Sequence, residues 1–538
     1  MKKIETLFVG TCLVVALVAT GAVIWQTTSS ATRTPQTSFP TTKYGAFLAA
    51  QHAIYVNDFD SAAEFTKNLT GIDYALVSNT RMIAEFLSGK MPDNIAILKN
   101  EKSMPAALIY DAHLVNTDAW DELYKRHKKD SSALSAPLRV WSAIETGHSA
   151  DAIKFIDTLQ TNASWKSFVR GQIYAHTGDT ARAAAEFAAV SPDFMNINDY
   201  IYIMSFYMAH DMNDAADALR RDFTTRPGGM YMLGFEKIPD RSNYSGSKNA
   251  LAFSLVQAVS HTQIMMYSDL AILLLRFAQI TGPAYTAEND AINYYMGQYF
   301  FNNAGNWQRH FDAIDSASPY YLFAVMRRAE KTDDIEALDK AVRKNPLFVP
   351  AAAKLVAHHT AHGDQRAALR VISRALDAEN IPDAGRAYFT KLRAQVNFAF
   401  GDIEVAQKDL RAASNILPID ADILSLQAKI WAVQNRELDN AYEYAMTLVK
   451  QNPTDIIAWD TLGAVVAVRD GADAAMDVLV RVGEVANTCS SLYERLGDLY
   501  LQTGDKKLAR DAYMRAIELS DDGLTVAPRL EKKVRNIK

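Results

Sequence analysis

The sequence is short of the residues that make turns and crosslinks. It holds 24 glycines and 16 prolines in 538 residues, about 7% together where an average protein has about 12%. β-Sandwiches and barrels take most of their turns from these two residues, so a fold of that kind is excluded. Two cysteines, Cys12 and Cys489, leave no disulfide framework and no cysteine-rich zinc or iron–sulfur site. Positive charge is not in excess either. Lys and Arg number 56 against 62 Asp and Glu, a net charge of −6, which gives no electrostatic ground for binding nucleic acid. What is present is 49% hydrophobic and 22% charged residues, enough to bury a core and unlike a disordered chain. The composition is that of a large, soluble, helical protein.

Leu7 to Trp25 is 19 residues without a charge, after a Met1-Lys2-Lys3 start. That length crosses a bilayer core as a helix and exceeds the usual apolar stretch of a signal peptide. The lysines hold the N-terminus in the cytoplasm, so the rest of the chain is expected on the periplasmic side of a bacterial inner membrane. The small residues Ser29-Ser30-Ala31 leave two outcomes open, a retained single-pass anchor or cleavage after Ala31 into the periplasm. Residues 1–31 are therefore signal peptide or anchor, and the Ser/Thr/Pro-rich residues 32–42 a flexible tether. Cys489, then the one cysteine of the exported part, reads as a small core hydrophobe. The apolar run Ile264 to Ile280 contains Asp269 and Arg276 and reads as a core helix rather than a second span.

Beyond the tether the chain repeats. Trp459, Leu462, Gly463 and Val466 are followed by Ala475 and Leu479, and 34 residues later come Tyr493, Leu496, Gly497, Tyr500, Ala509 and Tyr513. Positions i, i+3, i+4 and i+7 form one helix face, and a glycine inside that face admits a second helix at close range. Gly504-Asp505 supplies the cap and turn between the two. Weaker copies lie upstream: Gly171 and Tyr174 with Gly178, Ala183 and Phe187, then Gly363 with Ala368, and Gly401 with Ala406. Pro346, Pro382, Pro418 and Pro453 recur at intervals of 36, 36 and 35, each ending a unit. Tyr44 to Leu69 reads as the first hairpin, turning at Asn57-Asp58. Residues 250–330 read as helices without the small-residue signature. About fourteen hairpins of about 34 residues fit the length.

This pattern resembles the tetratricopeptide repeat family, whose motif is W-x2-L-G-x2-Y, then A-x3-F, then P. The resemblance implies an all-α solenoid of stacked helical hairpins that binds a protein or peptide on the concave face of its first helices. Transferred to the clearest units, that face is Ser425, Lys429, Asp460, Ala464, Glu494, Asp498 and Gln502, a mixed and mildly acidic set. The family's carboxylate clamp of Lys and Asn on successive hairpins is not reproduced. The expected organisation is an N-terminal array over 43–226, divergent hairpins over 227–345 after the break at Arg226-Pro227-Gly228-Gly229, a C-terminal array over 346–520, and a basic capping tail over 521–538.

Candidate chemistry is sparse. His358 and His362 share a helix face beside His359 and Asp364, but no glutamate completes an H-E-x-x-H motif and no third ligand is evident. They read as a helix end, not a metal site. Lys125 to Lys129 reads as a solvated helix end. No phosphate loop, nucleophile elbow or dinucleotide fingerprint occurs. The expectation is therefore no enzyme, no cofactor, no metal and no small-molecule substrate. The chain is expected to be a cell-envelope scaffold or adaptor, with membrane contact through its N-terminal segment. The alternative is an accessory subunit of an envelope machine, such as a protease adaptor or a factor for polymer secretion or outer-membrane assembly.

Overall fold

Two-residue turns generate this structure, a computed structural model. It describes residues 42–538 apart from 70–74, 94, 102, 133–134, 227, 235–245, 262–268, 286–288, 304, 333, 380, 419, 486–489, 521–526 and 538. The apolar segment 1–31, the tether up to residue 41, Cys12, Cys489 and Pro227 lie outside the described residues. Within them, 28 α-helices and three short 3-10 segments occur, with no strand.

The N-terminal helices are α1 (Lys43–Tyr55), α2 (Phe59–Thr66), α3 (Ala75–Leu87), α4 (Met104–Asn116), α5 (Trp120–His127), α6 (Ala136–Glu145), α7 (Ser149–Thr158), α8 (Ala163–His176), α9 (Thr180–Ala188), α10 (Ile197–Ala209) and α11 (Asn213–Thr224). The middle holds α12 (Ser247–His261), α13 (Asp269–Thr281), α14 (Asp290–Asn302), α15 (Gln308–Asp312), α16 (Pro319–Thr332) and α17 (Ile335–Lys344). There follow α18 (Val349–Ala361), α19 (Gln365–Leu376), α20 (Asp383–Ala399), α21 (Ile403–Ser414), α22 (Ala421–Val433), α23 (Leu438–Gln451), α24 (Ile456–Arg469), α25 (Ala472–Val485), α26 (Ser490–Gln502), α27 (Lys506–Glu518) and α28 (Ala527–Asn536).

The turn inside a hairpin has one recurrent chemistry. Gly178, Gly363 and Gly504 sit at φ 81, 77 and 89, a left-handed conformation that glycine adopts without steric cost. Asn57 takes the same position at φ 60, as asparagine tolerates it. The aspartate that follows caps the next helix. Asp58, Asp179, Asp364 and Asp505 accept from the backbone N–H of Ser61, Arg182, Ala367 and Leu508, satisfying a donor that the helix leaves free.

A second glycine position fixes how closely the two helices approach. A Cβ on Gly171, Gly463 or Gly497 would lie 2.5, 2.4 or 2.5 Å from the side chain of Phe187, Leu479 or Tyr513. The first helix therefore lies directly against a large side chain of the second. The middle stretch contains the same contact: a Cβ on Gly297 of α14 would lie 2.3 Å from Phe311 of α15. It escaped the periodicity because Gly297 and Phe311 are two residues nearer in sequence than the other pairs.

Packing divides the chain differently from its motifs. One continuous hydrophobic core runs from Phe59 to Val396 and includes Met230, Tyr231 and Met232, so it passes through the glycine-rich break without dividing there. After it come smaller separate clusters, around Leu410 and Ile430, around Leu462 and Leu479, and around Tyr513 and Leu530. The large core exists because α12 and α13 do not simply extend the stack. Besides packing on each other, α12 lies against α6, and α13 against α3 and α4. Trp141 of α6 donates its Nε1–H to Ser254 Oγ of α12 at 3.0 Å. The first hairpin closes the arrangement: Asn57 Nδ2 donates to the Asn303 carbonyl at 3.0 Å, and Tyr299 donates its hydroxyl to Asn57 Oδ1 at 3.0 Å. Among the described residues no helix is long and apolar enough to cross a membrane, and α13 is a buried core helix.

The two glycine roles separate by mutation. Gly497→Ala is expected to cost about 1–3 kcal/mol by overpacking against Tyr513. Gly504→Ala, with nothing within 4 Å of the new Cβ, is expected to cost about 1–2 kcal/mol through backbone strain alone. Urea denaturation followed by helical circular dichroism measures both, and an unchanged midpoint for Gly497→Ala would refute the close approach.

Candidate functional site

In the C-terminal units the first helices α22, α24 and α26 contact one another directly across the intervening second helices, so they line the inside of the curve. Their inner face carries a ladder of ion pairs. Lys391 of α20 reaches Asp420 at 3.0 Å and Asp422 at 2.8 Å, at the start of α22. Lys429 of α22 reaches Asp460 of α24 at 2.8 Å, and Arg495 of α26 reaches the other oxygen of Asp460 at 3.0 Å. Arg529 of α28 donates to both carboxylate oxygens of Glu494 at 2.5 Å. Lys533 of α28 reaches Glu494 at 2.8 Å and Asp498 at 2.6 Å, while Tyr513 donates its hydroxyl to Asp498 at 2.6 Å. A Ser425–Thr461 hydroxyl pair at 2.7 Å lies in the same row.

The ladder takes up five of the seven residues the sequence singled out, all but Ala464 and Gln502. Ser425, Asp460 and Glu494 are buried, Lys429, Ala464 and Asp498 half-buried, and Gln502 exposed. Five of them thus bind the chain's own next unit, and only Gln502 is freely exposed. The sequence reading found the acids but missed their partners Arg495 and Arg529. The signal was present: Asp460 and Glu494 are 34 apart, as are Arg495 and Arg529. The pairing also changes the expected charge of the surface at its α26–α28 end. The Asp460 and Glu494 side chains are 10% and 9% exposed, against 31% for Arg495, 48% for Arg529 and 31% for Lys533. Asp460 and Glu494 are covered while Asp498 keeps 30% exposure, so at the α26–α28 end solvent meets more of the bases than of the acids; at the α20–α22 step the order is opposite, with Lys391 buried and Asp422 exposed.

Burial alone would push the Asp460 carboxyl up, but the charges of Lys429 and Arg495 outweigh it and hold the group below its ordinary value. Lys391 is the mirror case. Burial pulls it down, and Asp422 and Asp420 raise it above the ordinary lysine value.

The corresponding inner face of the N-terminal units is occupied by α12. Ser247 bonds Glu145 and lies 3.1 Å from His176 Nε2, and Lys248 pairs with Asp118 at 2.9 Å. Asp199 of α10, fully buried, accepts from Gln257 Nε2 at 2.7 Å and His261 Nε2 at 2.6 Å. Elsewhere, His362 Nδ1 donates to the His358 carbonyl at 2.8 Å, and among the described residues no three His, Cys, Asp or Glu are grouped to hold a metal. Within the basic run, Arg126 and His127 are turned to the buried Asp111, at 2.8 and 2.9 Å.

A depressed carboxyl contributes stability that is complete above its unfolded pKa and is lost as pH falls through the folded one. Asp460→Asn is therefore expected to destabilise the chain at neutral pH and to flatten the loss of stability below about pH 4. Urea midpoints of parent and variant across that range measure it. Parallel curves would remove Asp460 from the acid response.

Residues 490–522 match the model of the tetratricopeptide repeat, a span that begins with α26 and includes α27. No curated protein sequence matches the chain. Among solved structures, the Cut9–Hcn1 hetero-tetramer of APC/C is 14% identical, over 92% of this chain and 96% of that one, with a TM-score of 0.29. Yeast Tom70 is 12% identical, over 92% and 95%, with a TM-score of 0.31. The human IFIT1 dimer with PPP-AAAA is 13% identical, over 81% and 95%, with a TM-score of 0.32. Sequence match and hairpin geometry meet in α26 and α27: the chain carries a tetratricopeptide repeat at residues 490–522.

Proposed function

We propose that the chain is a protein–protein interaction scaffold or adaptor of the bacterial cell envelope, held at the periplasmic side of the inner membrane by its N-terminal apolar segment. A partner segment lies along the inner face of α20 to α28. One observation carries the choice of face: the N-terminal inner face is filled by α12, whereas the C-terminal one presents the partly exposed heads of Lys429, Arg495, Arg529 and Lys533. The exposed heads of Arg495, Arg529 and Lys533 at the α26–α28 end suit a partner segment rich in Asp and Glu. Such contacts are modest individually and add up along an extended groove. They also weaken with salt.

Cross-linking in intact envelopes followed by mass spectrometry tests this reading. Joint substitution of Lys429, Arg495 and Arg529 by alanine is expected to remove the captured partner, and Lys128→Ala with Lys129→Ala is expected to retain it. Identical captured partners in both would sink the groove assignment. Recovery of the intact chain from the cytosol on fractionation would sink the envelope assignment.

A further inference from the structure

We propose that the chain also has a small-molecule site, for an uncharged, flat and largely apolar ligand whose polar end donates hydrogen bonds. The site is a cavity of about 760 Å³ where the inner face of α6 and α8 meets α12 and α13. That volume lies within the roughly 300–1,000 Å³ of small-molecule pockets. Its walls include Trp141, Trp165, Phe194 and Leu274, rings that favour stacking against a flat body. No Lys, Arg, Asp or Glu is among the described lining residues, so a charged ligand head would be buried without a counter-charge, at high cost.

Two polar groups of the wall are left with capacity, and Asp199 sets the orientation of both. A carboxylate only accepts, so the Gln257 atom 2.7 Å from Asp199 is the amide nitrogen, and the carbonyl Oε1 points elsewhere. Gln257 is 2% exposed and lines the cavity, yet its Oε1 accepts no hydrogen bond from the described residues. The same argument places a hydrogen on His261 Nε2, 2.6 Å from Asp199. In the neutral ring Nδ1 then carries a lone pair. That ring stacks on Phe194 at 4.4 Å and 13°, which fixes its plane. Asp199 is itself held by the Asn196 backbone N–H at 3.1 Å. The wall therefore offers the Gln257 Oε1 acceptor in a fixed position, joined by His261 Nδ1 when the ring is neutral, and a ligand O–H or N–H completes it. The nearby hydroxyl is already engaged: Ser254 Oγ accepts from Trp141 and donates to the Ala250 carbonyl at 2.9 Å.

Equilibrium dialysis of the full chain against 2-naphthol, 2-methoxynaphthalene and 2-naphthoate tests the proposal. The three share a flat apolar body and differ in carrying a donor, an acceptor alone, or a charge. One 2-naphthol per chain is expected, bound about tenfold or more tightly than the other two, as for one well-made hydrogen bond at a dry wall. Ala258→Phe, which fills the cavity, and Trp165→Ala, which removes a wall at its half-buried edge, are each expected to weaken 2-naphthol. Gln257→Met is expected to erase most of its advantage over 2-methoxynaphthalene. Melting curves followed by circular dichroism identify variants that remain folded. Absence of saturable binding, equal affinity for 2-naphthol and 2-methoxynaphthalene, or unchanged binding in folded Ala258→Phe and Trp165→Ala would each overturn the site.

Discussion

A helical hairpin with one apolar face has nowhere to put that face except against another hairpin, and the architecture follows from how this chain meets the requirement twice. From α20 onward the answer is stacking: each unit covers the next, the hydrophobic clusters stay small and separate, and the inner face stays open. Before that the answer is closure. The helices α12 and α13, apolar on nearly every side, turn back onto α3, α4 and α6. An apolar helix of that kind cannot serve as a solenoid unit, because half its surface would face water. The curve of the N-terminal units gives it cover on both sides, and one large core results.

Open stacking leaves a polar inner face that must still keep its units in register, and the ion-pair ladder does this. Asp460 is tied to the unit before it by Lys429 and to the unit after it by Arg495. Desolvation offsets much of the attraction in such pairs, so their net stabilisation is small. Losing one partner is the larger effect, since it leaves a buried charge unmatched. The ladder is better understood as a constraint on which helices are adjacent than as a source of stability. It ends on α28, whose Arg529 and Lys533 answer Glu494 and Asp498 from the side where a further first helix would stand.

The local parts of this design were legible in the sequence. Gly504-Asp505 announces a left-handed turn and a helix cap with two adjacent letters, and Gly463 and Gly497 mark close approach because their partners recur at fixed spacing. The ladder was half legible: Lys429, Asp460, Glu494 and Asp498 fell on the face transferred from the repeat motif, whereas Arg495 and Arg529 lie one position further along. The placement of α12 was not legible. Trp141 and Ser254 are 113 residues apart and Asn57 and Tyr299 are 242 apart, and contacts of that range leave no periodic trace. Gln257 and His261 looked like ordinary polar positions in an apolar helix until Asp199 was found opposite them.

That last group shows what closure costs and what it creates. The partner of α12 is a row of first helices, α6, α8 and α10, whose side chains were not shaped to a single continuous ridge. At its first turn α12 meets Glu145 and His176, and at its last it meets Asp199. Close packing forbids large dry voids in an interior, so where the two surfaces diverge the structure opens a cleft between Trp141 and Trp165 on one side and α12 on the other. A carboxylate as deeply buried as Asp199 persists only with donors around it. Those donors come from α12 itself and from the Asn196 backbone. The carboxylate therefore pins the end of the inserted helix, and in doing so it turns the remaining polar atoms of Gln257 and His261 away from itself. An aromatic cleft with oriented polar atoms is thus a by-product of burying α12, formed where the closed part of the chain departs most from a simple stack.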